Sequence, residues 1–537
     1  MDDSANPTTA SGPVDGKHVR IPRLAILLAA AMFVFVIDTM LMNVSISAVV
    51  DDLDTTVSGV QAAVATEALV SASFLLIGSK VGDLWGRKRA YVVGLALYAI
   101  GALSMVFTQG LVPIFLFWAI VGGLGAALYL PAMQSLIHGN FDEQQRPKVY
   151  ALVGASSAIA AAVGPVVGGL LTTTISWRAG FLLEAVIIAI VLVGSRGIRD
   201  VPYTGDRSVD YVGSILSVVG MGGLVVGVLV WQAGGEAVAA LLVVGGAALA
   251  GLAFWLSRRK RNAKPVLLDP ELFKSKLFGV GSTQIFLQQA ALGGLLIVLP
   301  IYLQLVLNYN ALQAGVTLTP LSLTMFGTAL LAGKRSGKRR PAVLVLVGFV
   351  MLVASMVILI WVVPRVDSGW YLVLPLVLAG AGFGLIVSQL NNYALSPISQ
   401  ERVGEAAGVT STAGSFGSSL GLAVAGAVML AALSIAFTQK SEASDVLPVA
   451  DQQHIAEVLE DDAQVMSDAQ LQEQLASQPA DIQEEILRIN SEARNLSLQI
   501  ALLVTLAAAA LGIFYAFRML RLPDPDPSSS VEGSAFG

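Results

Sequence analysis

Long apolar runs recur along the chain from about residue 24 to residue 518, and short polar connections separate them. A run of about 20 apolar residues is long enough to cross the hydrocarbon core of a bilayer as a helix. Only 13% of the residues are charged, which is about half the share found in soluble domains. We predict fourteen spanning helices, near residues 24–49, 59–79, 90–108, 111–137, 149–174, 179–197, 211–231, 237–257, 277–306, 312–333, 341–363, 370–394, 405–437 and 496–518.

The distribution of basic residues predicts how these helices are oriented. With the N-terminus in the cytoplasm, 27 of the 32 Lys and Arg residues fall in cytoplasmic segments and five fall on the other side. Short cytoplasmic loops of membrane proteins are enriched in Lys and Arg. We therefore expect a multi-pass protein of the inner (plasma) membrane with both termini in the cytoplasm. The first 20 residues lack a signal-peptide core, so the first helix is expected to stay uncleaved.

Composition also excludes several classes of chemistry. The chain has no cysteine and three histidines, which excludes disulfides, thiol catalysis and cysteine-ligated metals. The densest basic cluster, residues 257–264, is interpreted as a topology signal beside anionic lipid headgroups. Neither a nucleophile–base set nor a large soluble domain is recognisable. We predict no nucleic-acid partner, no enzymatic activity, no metal and no cofactor.

The stretch GSKVGDLWGRKRAYV, residues 78–92, places charges and glycines between the second and third helices. It resembles the signature loop of the major facilitator superfamily, with Ser79 and Leu84 as departures from that pattern. The matching residues, which we call the latch, are Asp83, Gly86, Arg87 and Lys88. The resemblance implies a contact that holds one of two helix packings and releases in the other, as alternating access requires.

The segment AVGPVVGGLL, residues 162–171, lies in the fifth predicted helix. It resembles a segment of the exporting, antiporter branches of the same superfamily. The matching residues, which we call the antiporter stripe, are Gly164, Pro165, Gly168 and Gly169. Small residues allow close packing of membrane helices, and a proline bends the helix and frees a backbone carbonyl.

Further segments are similar to the fourteen-span drug:proton antiporter branch, multidrug efflux type. IDTMLMNVSIS, residues 37–47, matches a first-helix segment of that branch at Asp38 and Asn43. Two departures stand out: residues 119–123 lack the branch's arginine, and Glu184 replaces an asparagine. The resemblance implies a proton gradient as the energy source.

The resemblance implies an all-α major facilitator fold with two pseudo-symmetric six-helix halves and two inserted central helices. Segment 438–495, between the last two helices, has 13 acidic and three basic residues. We interpret it as an external helical hairpin or as an acidic surface loop. The implied segments are a tail at 1–23, an N-terminal half at 24–200, inserted helices at 207–258, a C-terminal half at 270–520, and a tail at 521–537.

Three carboxylates lie inside predicted spans: Asp38, Glu67 and Glu184. Such groups are costly in a membrane and are usually functional. The helical rise places all three roughly 8–12 Å below the outer edge of the hydrocarbon core. We predict that they couple protons to a cationic substrate. The alternatives are a structural bond from Asp38, cavity lining by Glu67, and solvation of Glu184 at the edge.

Other polar and aromatic residues are predicted to line a cavity between the halves. For the amides, hydrogen bonding between helices is the alternative, and for the aromatic residues it is lipid or core packing. The predicted lining residues are Asn43, Trp118, Tyr129, Gln284, Phe286, Gln288, Gln389 and Asn392.

The sequence therefore predicts a monomeric, proton-coupled exporter of hydrophobic, cationic drugs or antiseptics. Its partners would be these substrates, protons and membrane lipids. A first alternative is an exporter or flippase of a native lipid or a lipid-like molecule. A second alternative is a non-transport membrane sensor or enzyme.

Overall fold

A computed structural model describes residues 23–141, 145–200, 210–232, 236–262, 264–334, 340–398, 402–447, 471–472, 475 and 478–524. The described residues form helices and no strand. The fourteen predicted spans are confirmed as long apolar helices, α1–α14 in chain order: Arg23–Val44, Val57–Trp85, Arg87–Phe107, Leu111–Ile137, Lys148–Thr174, Trp177–Gly197, Tyr211–Trp231, Val238–Arg261, Lys276–Val306, Ala311–Ala332, Pro341–Arg365, Gly369–Leu395, Glu405–Glu442 and Ala480–Leu520.

The helices form two halves with the same internal packing. In α1–α6, helix α1 packs on α5 and α6, α2 on α4, and α3 on α4 and α6. Helices α9–α14 repeat each of these pairs eight helices later: α9 on α13 and α14, α10 on α12, and α11 on α12 and α14. The halves meet along α5–α10 and α2–α13, which are equivalent pairs under the same relation. Helices α7 and α8 pack on each other, and α7 covers the α2–α13 seam.

Two groups of loops define the faces of this bundle. Lys88, Arg196 and Asp200 come together where α2 and α6 end and α3 begins. We call this side of the bundle the basic face. In the other half, the α8–α9 linker lies on the corresponding side. Asp52 and Arg178 form an ion pair at the other ends of α1 and α6, on what we call the opposite face.

The halves are sealed together towards the opposite face. A Cβ added at Gly315 would lie 2.0 Å from the Pro165 carbonyl oxygen, and one at Gly169 would lie 2.3 Å from that of Ala311. The Ser47 hydroxyl donates to Gln304 across the same junction. Only glycine allows this close approach of α5 and α10.

The apolar core divides at the same level. Met42, Trp118 and Phe181, towards the opposite face of the N-terminal half, share one buried cluster with the C-terminal half. Leu28 and Leu136, towards the basic face, belong to a separate cluster made by the N-terminal half alone. The apolar core of the N-terminal half is therefore continuous with that of the other half near the opposite face and separate from it near the basic face, where α2 and α13 still approach each other at Leu76 and Gly408.

An ionic cluster ties the α8–α9 linker to the start of α13. Asp269 accepts from Lys260 at 2.7 Å and from Arg402 at 2.8 Å, and the Asp269 N–H donates to Glu405 at 2.8 Å. Burial raises the pKa of Asp269, but the bond from Lys260 and the charge of Arg402 outweigh it, and the pKa lies below its ordinary value. Asp269 is therefore charged at neutral pH, and the cluster is intact there.

The predicted external hairpin remains a prediction, because residues 448–470 lie outside the described part of the chain. The described ends of that segment are α13, which runs to Glu442, and α14, which begins at Ala480. Lys440 pairs with Glu492, and Ser444 donates to Glu485 at 2.6 Å. Residues 1–22, 335–339 and 525–537 also lie outside the described residues.

The predicted orientation can be tested by cysteine labelling, because the native chain contains no cysteine. Arg261→Cys and Asp481→Cys both place the thiol at an exposed position, at opposite ends of the bundle. A membrane-impermeant maleimide added to intact cells should label Asp481→Cys and should label Arg261→Cys only after permeabilisation. Labelling of Arg261→Cys in intact cells would reverse the orientation.

Candidate functional site: a carboxyl cluster in the N-terminal half

Asp38 lies at the centre of the N-terminal half, with 2% of its surface exposed. Tyr98 of α3 donates to its Oδ2 at 2.5 Å, and the Trp118 indole N–H of α4 donates to its Oδ1 at 3.1 Å. Trp118 lies in a π-helical stretch of α4, Ile114–Gly122. Such stretches are rare and are frequent at functional sites. Three helices therefore converge on one carboxyl group.

Glu184 of α6 meets the same group. Its carboxyl lies within hydrogen-bonding reach of the Asp38 carboxyl, and 1% of its surface is exposed. Both Glu184 oxygens lack a hydrogen-bond donor among the described residues. The alternative of a solvated Glu184 at the membrane edge does not match this burial.

Glu67 of α2 completes the cluster. Ser71, one turn along the same helix, donates to Glu67 Oε1 at 3.0 Å. Its carboxyl is close enough to Asp38 for their charges to interact. The structure therefore brings the three predicted carboxylates into one cluster, formed by helices of one half.

Two carboxyl groups in contact inside a low-dielectric site cannot both carry a charge without strong repulsion. One proton shared by the two carboxyl groups removes the repulsion. It also provides Glu184 with a hydrogen-bond donor, because an ionised carboxylate can only accept. Within the described chain, no group of three or more His, Cys, Asp or Glu residues is arranged to hold a metal ion, and this applies to the three carboxylates as well. The arrangement is suited to holding and releasing a proton.

Of the predicted lining residues of the N-terminal half, Trp118 and Tyr129 lie beside this cluster. Tyr129 is fully buried and its ring contacts those of Phe35, Tyr91 and Tyr98 edge to face. Asn43 is buried with its Oδ1 unbonded within the described structure. Trp118 therefore bonds a carboxylate directly, whereas Tyr129 belongs to an aromatic group beside it.

The predicted lining residues of the C-terminal half lie apart from the carboxyl cluster. Gln284 donates to the Gly512 carbonyl of α14 at 3.0 Å, which is the interhelical alternative. Gln288 donates to Gln289, and Gln389 donates to Ser388. The Phe286 ring packs on Phe416, and Asn392 is partly exposed.

The latch residues lie together at the basic face, and a further acid joins them. Arg87 pairs with Asp83 at 2.9 Å. Asp200 accepts from the Lys88 backbone N–H at 2.9 Å, and a Cβ at Gly86, whose φ is +101°, would lie 2.6 Å from Asp200. The carboxylate at the N-terminus of α3, where the helix dipole favours it, is therefore Asp200.

The antiporter stripe faces two neighbours. Gly164 and Gly168 lie against Met40 and Leu41 of α1, whereas Gly169 lies against α10. The Pro165 carbonyl, on the same helix, is the atom that Gly315 approaches. The stripe therefore joins the carboxyl-bearing helix α1 to the junction between the halves.

Sequence reasoning missed two partners of these groups. Tyr98 carries no charge and resembles an ordinary core aromatic residue, so its bond to Asp38 was not foreseen. Asp200 lies 112 residues beyond its partner Lys88. One signal was available in the sequence. Tyr98 lies at helical spacing from Tyr91, which places two polar aromatic residues on the same face of α3.

Comparison with known proteins decides the family. The model of the Major Facilitator Superfamily matches residues 28–422. The chain belongs to the Major Facilitator Superfamily. As a member, it is a multi-pass membrane transporter of small molecules and not an enzyme, which confirms the predicted family and fold class.

Relatives and solved structures agree with this assignment. Multidrug resistance protein Stp of Mycobacterium tuberculosis (strain CDC 1551 / Oshkosh) is 28% identical over 440 residues, 80% of each chain. Puromycin resistance protein pur8 of Streptomyces alboniger is 31% identical over 412 residues, 75% of this chain and 80% of that one. The POT family transporter PepTSo has a TM-score of 0.60 at 13% identity, covering 94% of this chain and 99% of its own, and shares the fold.

The latch generates a prediction about turnover. Asp83→Asn removes the charge that holds Arg87 and leaves the carboxyl cluster unchanged. We expect the transport rate to fall about tenfold, since each lost 1.4 kcal/mol of differential stabilisation changes an equilibrium tenfold. Substrate affinity in detergent should change much less, because the latch lies outside the candidate site. Unchanged turnover at normal expression would show that the latch does not act on the conformational equilibrium.

Proposed function

We propose that this transporter exports hydrophobic, cationic drugs or antiseptics across the inner membrane by proton-coupled alternating access. The observation that carries the proposal is the buried contact between the Asp38 and Glu184 carboxyls. The relatives named for multidrug and puromycin resistance support an export function.

The mechanism is competition between a proton and a cation. A protonated Asp38–Glu184 pair has one negative charge fewer and attracts a cation weakly. Deprotonation leaves a second charge that the low-dielectric site stabilises poorly, and a bound cation compensates for it. Glu67 lies near enough to contribute to the binding of the cation. Each transport cycle then exchanges a substrate for a proton.

The junction between the halves supports a mechanism of alternating access. With the opposite face sealed, substrate enters from the basic face, which the charge distribution assigns to the cytoplasm. Opening at the other side requires α5 and α10 to part at Gly315 and the basic-face ends to close. The latch lies at those ends and would set the balance between the two states.

The central test is uphill transport by Asp38→Asn. The amide keeps the volume of the side chain. An amide oxygen at the Oδ2 position can still accept from Tyr98 and, at 3.3 Å, from Trp118, but the amide cannot exchange a proton. Proteoliposomes with an imposed pH gradient and a cationic dye should show accumulation by the wild type and at least about a hundredfold less by this variant. Glu236→Gln, an exposed carboxylate between α7 and α8, is the matched control and should pump normally.

The same assay separates the proposal from lipid export. A panel containing cationic dyes and a fluorescent phospholipid is offered to the wild type. Movement of phospholipid with no proton response to any cation would contradict the proposal and favour the lipid exporter. Pumping by Asp38→Asn would instead move the proton site to another carboxylate.

Glu67 generates a separate prediction on substrate choice. Glu67→Gln should raise the apparent KM for cationic substrates about tenfold and leave neutral hydrophobic substrates within about twofold. In the proposed mechanism the Glu67 charge attracts a cationic substrate throughout the transport cycle, so its loss weakens the binding of cations. Equal effects on both classes would assign Glu67 to structure.

A further inference from the structure

Three buried tyrosines extend from the carboxyl pair towards the basic face. Tyr98 and Tyr91 lie on α3, and Tyr129 of α4 lies between them. The ring centroids of Tyr98 and Tyr129 are 5.6 Å apart, and those of Tyr129 and Tyr91 are 6.4 Å apart. At most 3% of each side chain is exposed. The group lies inside the N-terminal half.

The sequence of α3 builds this arrangement. Arg87, Tyr91, Gly94 and Tyr98 are spaced by four, three and four residues, so they share one face of the helix. A Cβ at Gly94 would lie 2.9 Å from that of Tyr129. The missing side chain at Gly94 therefore lets Tyr129 occupy the gap between the two tyrosines, which are about 10 Å apart along the helix.

One end of the group contacts a functional residue, and the other end lies one helical turn from a latch residue. At one end the Tyr98 hydroxyl donates to Asp38. At the other end Tyr91 is one turn from Arg87, which pairs with Asp83 at the basic face. The tyrosines therefore extend from the carboxyl cluster towards the latch.

Packing does not account for the hydroxyl groups. The Tyr91 and Tyr129 oxygens have no hydrogen-bond partner among the described residues, although both are buried. A phenylalanine would pack equally well, and Phe35 already does so at 6.5 Å from Tyr129. A buried hydroxyl without a partner is unfavourable. A hydroxyl both donates and accepts, and can therefore pass a proton along.

We propose that Tyr98, Tyr129 and Tyr91 form a proton-release path from the Asp38–Glu184 pair to the basic face, separate from the substrate route between the halves. The inference rests on the proposed proton coupling. The carboxyl gives up its proton, each hydroxyl accepts one proton as it donates its own to the next hydroxyl or to an intervening water, and a water at the basic face receives the last. One O–H bond breaks and one forms at each step, so no tyrosinate forms and the carboxylate is left charged.

The test uses Tyr129→Phe and Tyr91→Phe, each of which removes one oxygen and keeps the ring. Tyr393→Phe is the matched control, because Tyr393 of α12 is equally buried with an unbonded hydroxyl and lies in the other half. Three quantities are measured in proteoliposomes: pH-driven uphill transport, substrate exchange without a gradient, and the solvent isotope effect in D2O.

We expect Tyr129→Phe and Tyr91→Phe to slow uphill transport about tenfold. Exchange of substrate should be unchanged, because it needs no net proton movement. The isotope effect on the remaining uphill transport should rise, and Tyr393→Phe should match the wild type in every assay. Thermal unfolding of each variant excludes loss of fold as the cause.

Normal uphill transport by both variants, with a wild-type isotope effect, would overturn the path. Equal losses of uphill transport and exchange would assign the tyrosines to packing and would also overturn it. Failure of the path is distinguishable from failure of proton coupling. In the first case Asp38→Asn still abolishes uphill transport, whereas in the second the wild type shows no dependence on the pH gradient.

Discussion

The repulsion between two carboxyl groups held in contact in a low-dielectric site is the constraint on which the rest of the structure depends. Asp38 and Glu184 come from α1 and α6, and Tyr98 and Trp118 position Asp38 from two more helices. Isolated charges in such a site cost several kcal/mol each. The helices of the N-terminal half must therefore supply donors, and a proton or a cation must supply the remaining positive charge.

In the proposed mechanism, the two halves translate a change of charge at this pair into a change of shape. Helix α1 carries Asp38 and packs through Leu41 on Gly168 and Gly180 of α5 and α6. Helix α5 in turn seals against α10 at Pro165 and Gly315. A packing change around α1 therefore reaches the junction between the halves within two helix contacts. The proposed tyrosine path extends along α3 towards the latch.

The fold was predictable because the bilayer makes length and apolarity sufficient to locate spanning helices. The sequence also indicated the three carboxylates, because intramembrane charges are rare. It could not show that Asp38 meets Glu184, since 146 residues separate them and the contact depends on how α1 and α6 pack. Gln284 shows a second limit of the sequence. An amide inside a helix has the same sequence pattern whether it lines a cavity or bonds a neighbouring helix, and Gln284 donates to α14.

Proton release on substrate binding is the most direct test of competition between a proton and a cation at the carboxyl pair. Purified protein in detergent and weak buffer is mixed with a saturating cationic substrate, and a pH-sensitive dye records the protons released. We predict about one proton released per bound cation, because the carboxyl pair exchanges its shared proton for the cation. We predict no release from Asp38→Asn. Binding of the cation by the wild type with no release of protons would contradict the proposed competition.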